Sequence, residues 1–170
     1  MARRISLREF QQDLVRRLTE ARVSTETPSA RLGVQVGSEF WLVRLDEAAE
    51  VMPPPVIAPV PLTQPWFRGL TNIRGNLYSV IDLAQFQGGP ETLATPDSRL
   101  LLVGEKYHMA AALLVGRMLG LRNLNALERR ELPPQRPWEQ AHYVDKEGRE
   151  WRELAMEALI YSGEFLTAGV

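Results

Sequence analysis

The chain has 170 residues, 45% hydrophobic and 24% charged, which is typical of a globular protein that buries a core without disulfides or metals. Its 20 basic and 21 acidic side chains lack the basic surplus of a duplex nucleic-acid-binding protein. The absence of cysteine excludes thiolate metal sites and cysteine nucleophiles. The N-terminus lacks a signal-peptide pattern and no apolar run could cross a bilayer, so the sequence predicts a cytoplasmic protein without membrane insertion.

Residues 1–30 predict an amphipathic helix followed by a linker. Ser6 and Glu9 fit a capping box, and "STETPS" at 24–29 breaks the helical pattern. The apolar stripe of the helix contains Leu7, Phe10, Leu14, Leu18 and Ala21. We expect this stripe to pack either on the main body or on a partner, and both alternatives are open. The opposite face is basic, so nucleic-acid or surface binding through the helix is a rival function.

The first part of the remaining chain predicts a β-hairpin and a crossover. "RLGVQVGSEFWLVRL" alternates apolar and polar residues around a turn at Gly37-Ser38. Five prolines occupy the nine positions from Pro53 to Pro61, which excludes a helix and disfavours a central strand. This segment is therefore expected to cross the surface in an extended form.

A pair of short strands and two further hairpins follow in the sequence. "GLTNIRGNLYSVIDL" predicts two short strands that meet at residues 74–76, and "SRLLLVGEKYHMAAALLVG" predicts a hairpin with its turn at 104–106. "QAHYVDKEGREWRELAM" predicts a last hairpin around 146–148. "LGLRNLNALERREL" fits a strand or a helix, and "MEALIYSGEFL" a short helix or coil. The pattern favours a mainly β, barrel-like fold.

The sequence shows no set of residues that would perform catalysis. His108 and His142 are the only histidines, and each stands alone in a strand-like segment. A zinc site or a nucleophile–base pair needs several convergent side chains. Neither a Walker loop nor a dinucleotide-binding glycine motif occurs. We therefore expect no enzyme activity, no metal and no cofactor.

One short stretch, "PWFRGLTNIRGNLYSVIDLAQF", places an arginine before a glycine twice, at 68–69 and 74–75. Gly75 suits a turn that needs a positive φ angle. Such a turn would present Arg74 outward with little freedom left to lose on binding. The alternative is a turn arginine that only increases solubility.

The same stretch resembles the signature of the CheW-like chemotaxis coupling proteins. The matching residues are Pro65, Phe67, Arg68, Gly69, Asn72, Ile73, Arg74, Gly75, Val80, Ile81, Asp82 and Leu83. The resemblance extends over roughly residues 31 to 160. Ser79 stands where the family usually has proline, and Gly116 and Gly120 stand where it has acidic residues. The N-terminal helix, "PPQRPW" and the terminal "GEFLTAGV" are similar to the pilus-associated subgroup.

The resemblance implies two small SH3-like five-stranded β-barrels, intertwined over residues 31–170. It also implies a non-enzymatic adaptor that links the cytoplasmic tip of a chemoreceptor to the regulatory domain of a CheA-like histidine kinase. The output would be type IV pilus twitching motility or, alternatively, flagellar chemotaxis. The implied partner-binding residues are Arg74, Glu50, Asn72 and Arg68, with turn glycines Gly69 and Gly75. No nucleic acid is expected among the partners.

Overall fold

The computed structural model of the protein describes residues 29–170, and the predicted N-terminal helix lies outside them. The strands are β1 (Ala30–Val36), β2 (Glu39–Arg44), β3 (Ala48–Met52), β4 (Phe67–Ile73), β5 (Asn76–Asp82), β6 (Arg99–Val103), β7 (Ala111–Val115), β8 (Arg117–Asn123), β9 (Glu128–Arg130), β10 (Glu139–Val144) and β11 (Glu150–Leu154). The helices are short: α1 (Leu83–Phe86), α2 (Met156–Ile160) and α3 (Gly163–Leu166). Three 3-10 turns lie at Leu45–Glu47, Glu105–Tyr107 and Leu124–Ala126.

The strands form two sheets, which confirms the predicted mainly β architecture. One has the order β8-β1-β2-β11-β10-β9 and the other the order β3-β6-β7-β5-β4. The first sheet thus has six strands where five were expected, because the short strand β9 pairs with β10 at the edge of the sheet. The strand β9 belongs to the segment whose sequence fits both a strand and a helix. In the structure this segment forms the end of β8, a 3-10 turn and β9.

The predicted hairpins occur at the expected turns. β1 pairs with β2 across Gly37-Ser38, β4 with β5 across Arg74-Gly75, and β10 with β11 across residues 145–149. The β6–β7 connection is longer than predicted and contains the 3-10 turn at Glu105–Tyr107. Residues 53–66 form the extended crossover, with isolated bridges from Ala58 to Leu70 and from Thr63 to Gly169.

Three apolar clusters hold the fold together. Each sheet covers a small cluster of its own, centred on Trp151 in one case and on Val80 in the other. The largest cluster lies between the sheets and includes Trp41, Leu113, Met156 and Phe165. Helices α2 and α3 bury their apolar residues, Met156, Leu159, Ile160 and Phe165, in this shared core.

A fully buried carboxylate anchors the β4–β5 hairpin at its base. Asp82 ends β5 and caps α1, with its Oδ1 accepting from the amides of Ala84 (3.1 Å) and Gln85 (3.3 Å). The amide and hydroxyl of Thr92 each donate to it at 2.7 Å. Arg68, at the start of β4, donates to the same carboxylate at 3.3 Å. These bonds compensate the cost of burying the charge and join both strands to the 87–98 loop.

Replacing Asp82 with alanine should lower the free energy of unfolding by about 3 kcal/mol, because Arg68 and several amides lose their common acceptor in a dry site. Urea denaturation with an unchanged m value would measure this loss. Asp82→Asn should give a smaller loss, since it keeps the shape of the side chain.

Asp97 supplies the matched control for that substitution. It pairs with Arg117 at 3.0 Å, and both side chains are more than half exposed. Asp97→Ala should therefore change the unfolding free energy by no more than about 1 kcal/mol. Equal, small losses for the Asp82 and Asp97 variants would contradict the anchoring role of Asp82.

Candidate partner-binding site

The outer end of the β4–β5 hairpin is a tight two-residue turn. Arg74 and Gly75 both have positive φ angles, 52° and 86°. Turns of this kind match the twist of the flanking strands, but they favour residues that tolerate left-handed backbone. Asn72 stabilises the turn, since its Oδ1 accepts the amide hydrogen of Gly75 at 2.9 Å. The prediction of positive φ at Gly75 is confirmed, and Arg74 shares that conformation.

Arg74 forms a two-bond ion pair with Glu50 on β3. Its Nη1 and Nη2 donate to the two carboxylate oxygens of Glu50, each at 2.7 Å. The hydrogen bond from Arg74 lowers the pKa of Glu50 below its ordinary value, and the bond to Glu50 raises the pKa of Arg74. Both groups are thus charged at neutral pH. The fork of two parallel bonds fixes the orientation of the guanidinium plane.

This ion pair joins the two edges of one sheet. β3 and β4 are the first and last strands of the five-stranded sheet, and Glu50 lies on β3 while Arg74 follows β4. The sheet must therefore curl until these edges approach, as in a barrel. The Arg74 side chain remains 72% exposed and that of Glu50 34% exposed. A partner can consequently reach the pair from solvent.

Two apolar side chains are exposed on the β4–β5 hairpin and on the crossover segment next to it. Leu77 is 57% exposed and lies opposite Asn72 in the register of β4 and β5. Val56 is 90% exposed, and its carbonyl accepts the hydroxyl of Thr71 at 2.8 Å, which places it beside β4. Arginine beside exposed apolar groups is a combination found where proteins associate.

The other arginine–glycine step points into the structure. The Arg68 side chain is only 24% exposed and pairs with Glu91 at 2.7 Å as well as with Asp82. A Cβ atom on Gly69, whose φ is 131°, would lie 2.0 Å from the carbonyl oxygen of Ala58. Glycine is therefore required where the crossover meets β4. The family resemblance implies partner binding by Arg68, but its bonds to Asp82 and Glu91 favour an anchoring role instead.

Within residues 29–170, neither histidine belongs to a group of three or more potential metal ligands. His108 is exposed with a φ of 50°, and His142 is buried with its Nε2 3.3 Å from an oxygen of Glu139. Within residues 29–170, no cluster of three or more potential metal ligands occurs. In the same part of the chain, no helix is long and apolar enough to cross a membrane.

Sequence reasoning found both members of the ion pair but not their contact. Arg74 and Glu50 are 24 residues apart, on opposite sides of the proline-rich crossover. Their pairing depends on the curl of the sheet, which no local pattern reveals. Asn72, predicted to bind a partner, is exposed but already supports the turn through its side-chain oxygen.

Comparison with known proteins places these features in a family. The profile of the family described as "CheW-like domain" matches residues 31–164. Protein PilI of Pseudomonas aeruginosa is 29% identical over 92 residues, which are 54% of this chain. The match spans about half, 51%, of that relative's own length.

A solved structure shares the fold. The crystal structure of the scaffolding protein TtCheW from Thermoanaerobacter tengcongensis superimposes with a TM-score of 0.67 at 19% identity. The superposition covers 81% of this chain and 96% of the other. Members of the CheW family are non-enzymatic scaffolds, which confirms the expectation that this chain is not an enzyme. The chain belongs to the CheW-like domain family.

Proposed function

We propose that this protein couples the cytoplasmic tip of a chemoreceptor to the regulatory domain of a CheA-like histidine kinase, and that the pathway controls twitching motility by type IV pili. The protein would act in the cytoplasm, where receptor tip and kinase meet. The exposed, fixed Arg74–Glu50 pair carries this proposal, because it gives this member of a scaffold family a rigid recognition element on the outside of the fold.

The ion pair can serve recognition because it is already ordered before a partner arrives. A free surface arginine loses side-chain freedom when it binds, whereas Arg74 is held by two bonds and by a tight turn. A guanidinium has five N–H donors, and Arg74 uses two of them to bind Glu50. The remaining donors and the flanking Leu77 offer a partner both charge and apolar area.

The similarity to Protein PilI supports the pilus as the output. Flagellar chemotaxis is the alternative output for a chain of this family. The rival function, nucleic-acid or surface binding through the basic helix, concerns residues outside the described range. The net charge of −1 gives that rival no support.

Reversing the charge of Arg74 or Glu50 should weaken binding of the receptor tip or of the kinase regulatory domain. Arg74→Glu and Glu50→Arg each break the pair and present a repulsive charge, so we expect Kd to rise by about tenfold or more for one partner. Titration calorimetry with both partners measures the effect. Circular dichroism melts should remain close to wild type, because both side chains are solvent-accessible.

The double variant Arg74→Glu with Glu50→Arg distinguishes a structural role of the ion pair from a role in partner recognition. It restores the intramolecular pair with reversed positions. If the pair only holds the sheet edges together, the double variant recovers partner binding. If partners read the charges, as we propose, binding stays weak. Arg117→Glu, at an exposed arginine paired with Asp97, is the control and should bind normally. Full recovery in the double variant would overturn the recognition role.

Deleting the gene in its natural host should abolish twitching and leave flagellar swimming unchanged. The host must be one that has both forms of motility or that is tested for each separately. Complementation with Arg74→Glu should fail to restore twitching at a normal protein level, while Arg117→Glu should restore it. Loss of swimming with normal twitching would assign the protein to the flagellar pathway and leave the adaptor role intact.

A further inference from the structure

The face of the six-stranded sheet that forms the shared core ends at an exposed edge strand. β8 is the last strand at one end of the six-stranded sheet. In the register of β1 and β8, Leu32 lies opposite Leu121 and Val34 opposite Met118. Directly opposed residues of antiparallel strands project from the same face of a sheet. Met118 and Leu121 therefore lie on the face that forms the shared core.

On this face, apolar side chains of β1 and β2 are buried, whereas those of β8 are exposed. In the rows Val43–Leu32–Leu121 and Trp41–Val34–Met118, the residues on β1 and β2 are at most 5% exposed. Leu121 is 56% exposed and Met118 is 43% exposed. We call these two side chains the β8 strip. Apolar side chains that extend a buried row into solvent favour coverage by another segment or another protein.

The N-terminal segment enters the fold beside the β8 strip. Ala30 lies opposite Asn123, and the carbonyl of Ser29 accepts the amide of Leu124 at 2.9 Å. Any element formed by the preceding residues is thus tethered at the C-terminal end of β8. The preceding 28 residues contain the amphipathic sequence of residues 7–21.

We propose that the apolar stripe of residues 7–21 docks on the β8 strip as an intramolecular helix. The stripe is the one long apolar face that the sequence predicts without assigning it a partner, and the β8 strip lies next to its point of attachment. The helix would extend the shared core by one layer at the open edge. Its arginine- and glutamine-rich face would remain in water.

The dimensions fit this arrangement. A helix over residues 7–21 is about 22 Å long at 1.5 Å per residue. The seven residues of β8 span about 23 Å. The linker from residue 22 to residue 28 reaches about 23 Å when extended, so the helix can run along β8 in either direction. Binding of a second copy of the chain or of another protein to the β8 strip would not require this agreement between helix, strand and linker lengths. The thiol measurements distinguish these occupants from the intramolecular helix.

Thiol accessibility tests the docking in the full-length chain, because the natural sequence contains no cysteine. Single substitutions Met118→Cys and Leu121→Cys report on the β8 strip. Leu77→Cys, at a position 57% exposed, is the matched control for Leu121. We expect a maleimide to react about tenfold more slowly at position 121 than at position 77, which corresponds to about 1.4 kcal/mol of docking free energy.

Variants of the helix identify what covers the strip. Leu14→Asp places a charge in the apolar stripe and should raise the rate at positions 118 and 121 to that at position 77. Gln12→Asp, on the polar face, should change none of the rates. Equal rates at positions 121 and 77, or protection that Leu14→Asp leaves unchanged, would overturn the proposal. Protection that increases with protein concentration would overturn it in favour of a second copy.

Discussion

The β4–β5 hairpin is held at its base by one buried carboxylate, and the rest of the candidate site depends on that anchor. Asp82 accepts bonds from α1, from the 87–98 loop and from Arg68 on the opposite strand. An ionised carboxylate is stable in such a place only when its neighbours hydrogen-bond to it. The hairpin is thereby fixed to the body of the protein. Its other end, the Arg74-Gly75 turn, is the end that a partner can reach.

The two arginine–glycine steps thus have different roles on the same hairpin. In the first step the arginine turns inward to Asp82 and Glu91, and the glycine admits the backbone of the crossover. In the second step the glycine allows the turn, and the arginine lies across the edge of the sheet to meet Glu50. One step fixes the hairpin, and the other presents a charge whose position depends on that fixation.

The sequence predicted much of this fold because its signals are local. Alternating apolar residues and turn residues located the hairpins, and the prolines of residues 53–61 located the crossover. Resemblance to a family supplied the expected two-barrel architecture and the hypothesis that Arg74 and Glu50 bind a partner. The ion pair itself could not be predicted, since it forms only when two strands at opposite edges of a sheet approach. The inward orientation of Arg68 was hidden for the same reason: its partners lie 14 and 23 residues later in the chain.

Ser79, which stands where the family resemblance implies proline, makes a backbone hydrogen bond that proline could not make. Its amide donates to the carbonyl of Ala110 at 2.9 Å, at the start of the parallel pairing of β5 with β7. A proline at this position would have no hydrogen to donate. The chain therefore makes a bond from β5 to the residue before β7 that a proline at position 79 would prevent.

The central claim is that one arginine anchors the hairpin while the other recognises a partner, and a paired measurement on Arg68→Ala and Arg74→Ala tests it most directly. For each variant, the free energy of unfolding and the Kd for receptor tip and kinase regulatory domain would be measured, with Kd corrected for the folded fraction. We predict that Arg68→Ala loses stability and keeps its affinity, while Arg74→Ala keeps its stability and loses affinity for at least one partner. The opposite pattern, with Arg74→Ala unstable and Arg68→Ala deficient in binding, would contradict the account.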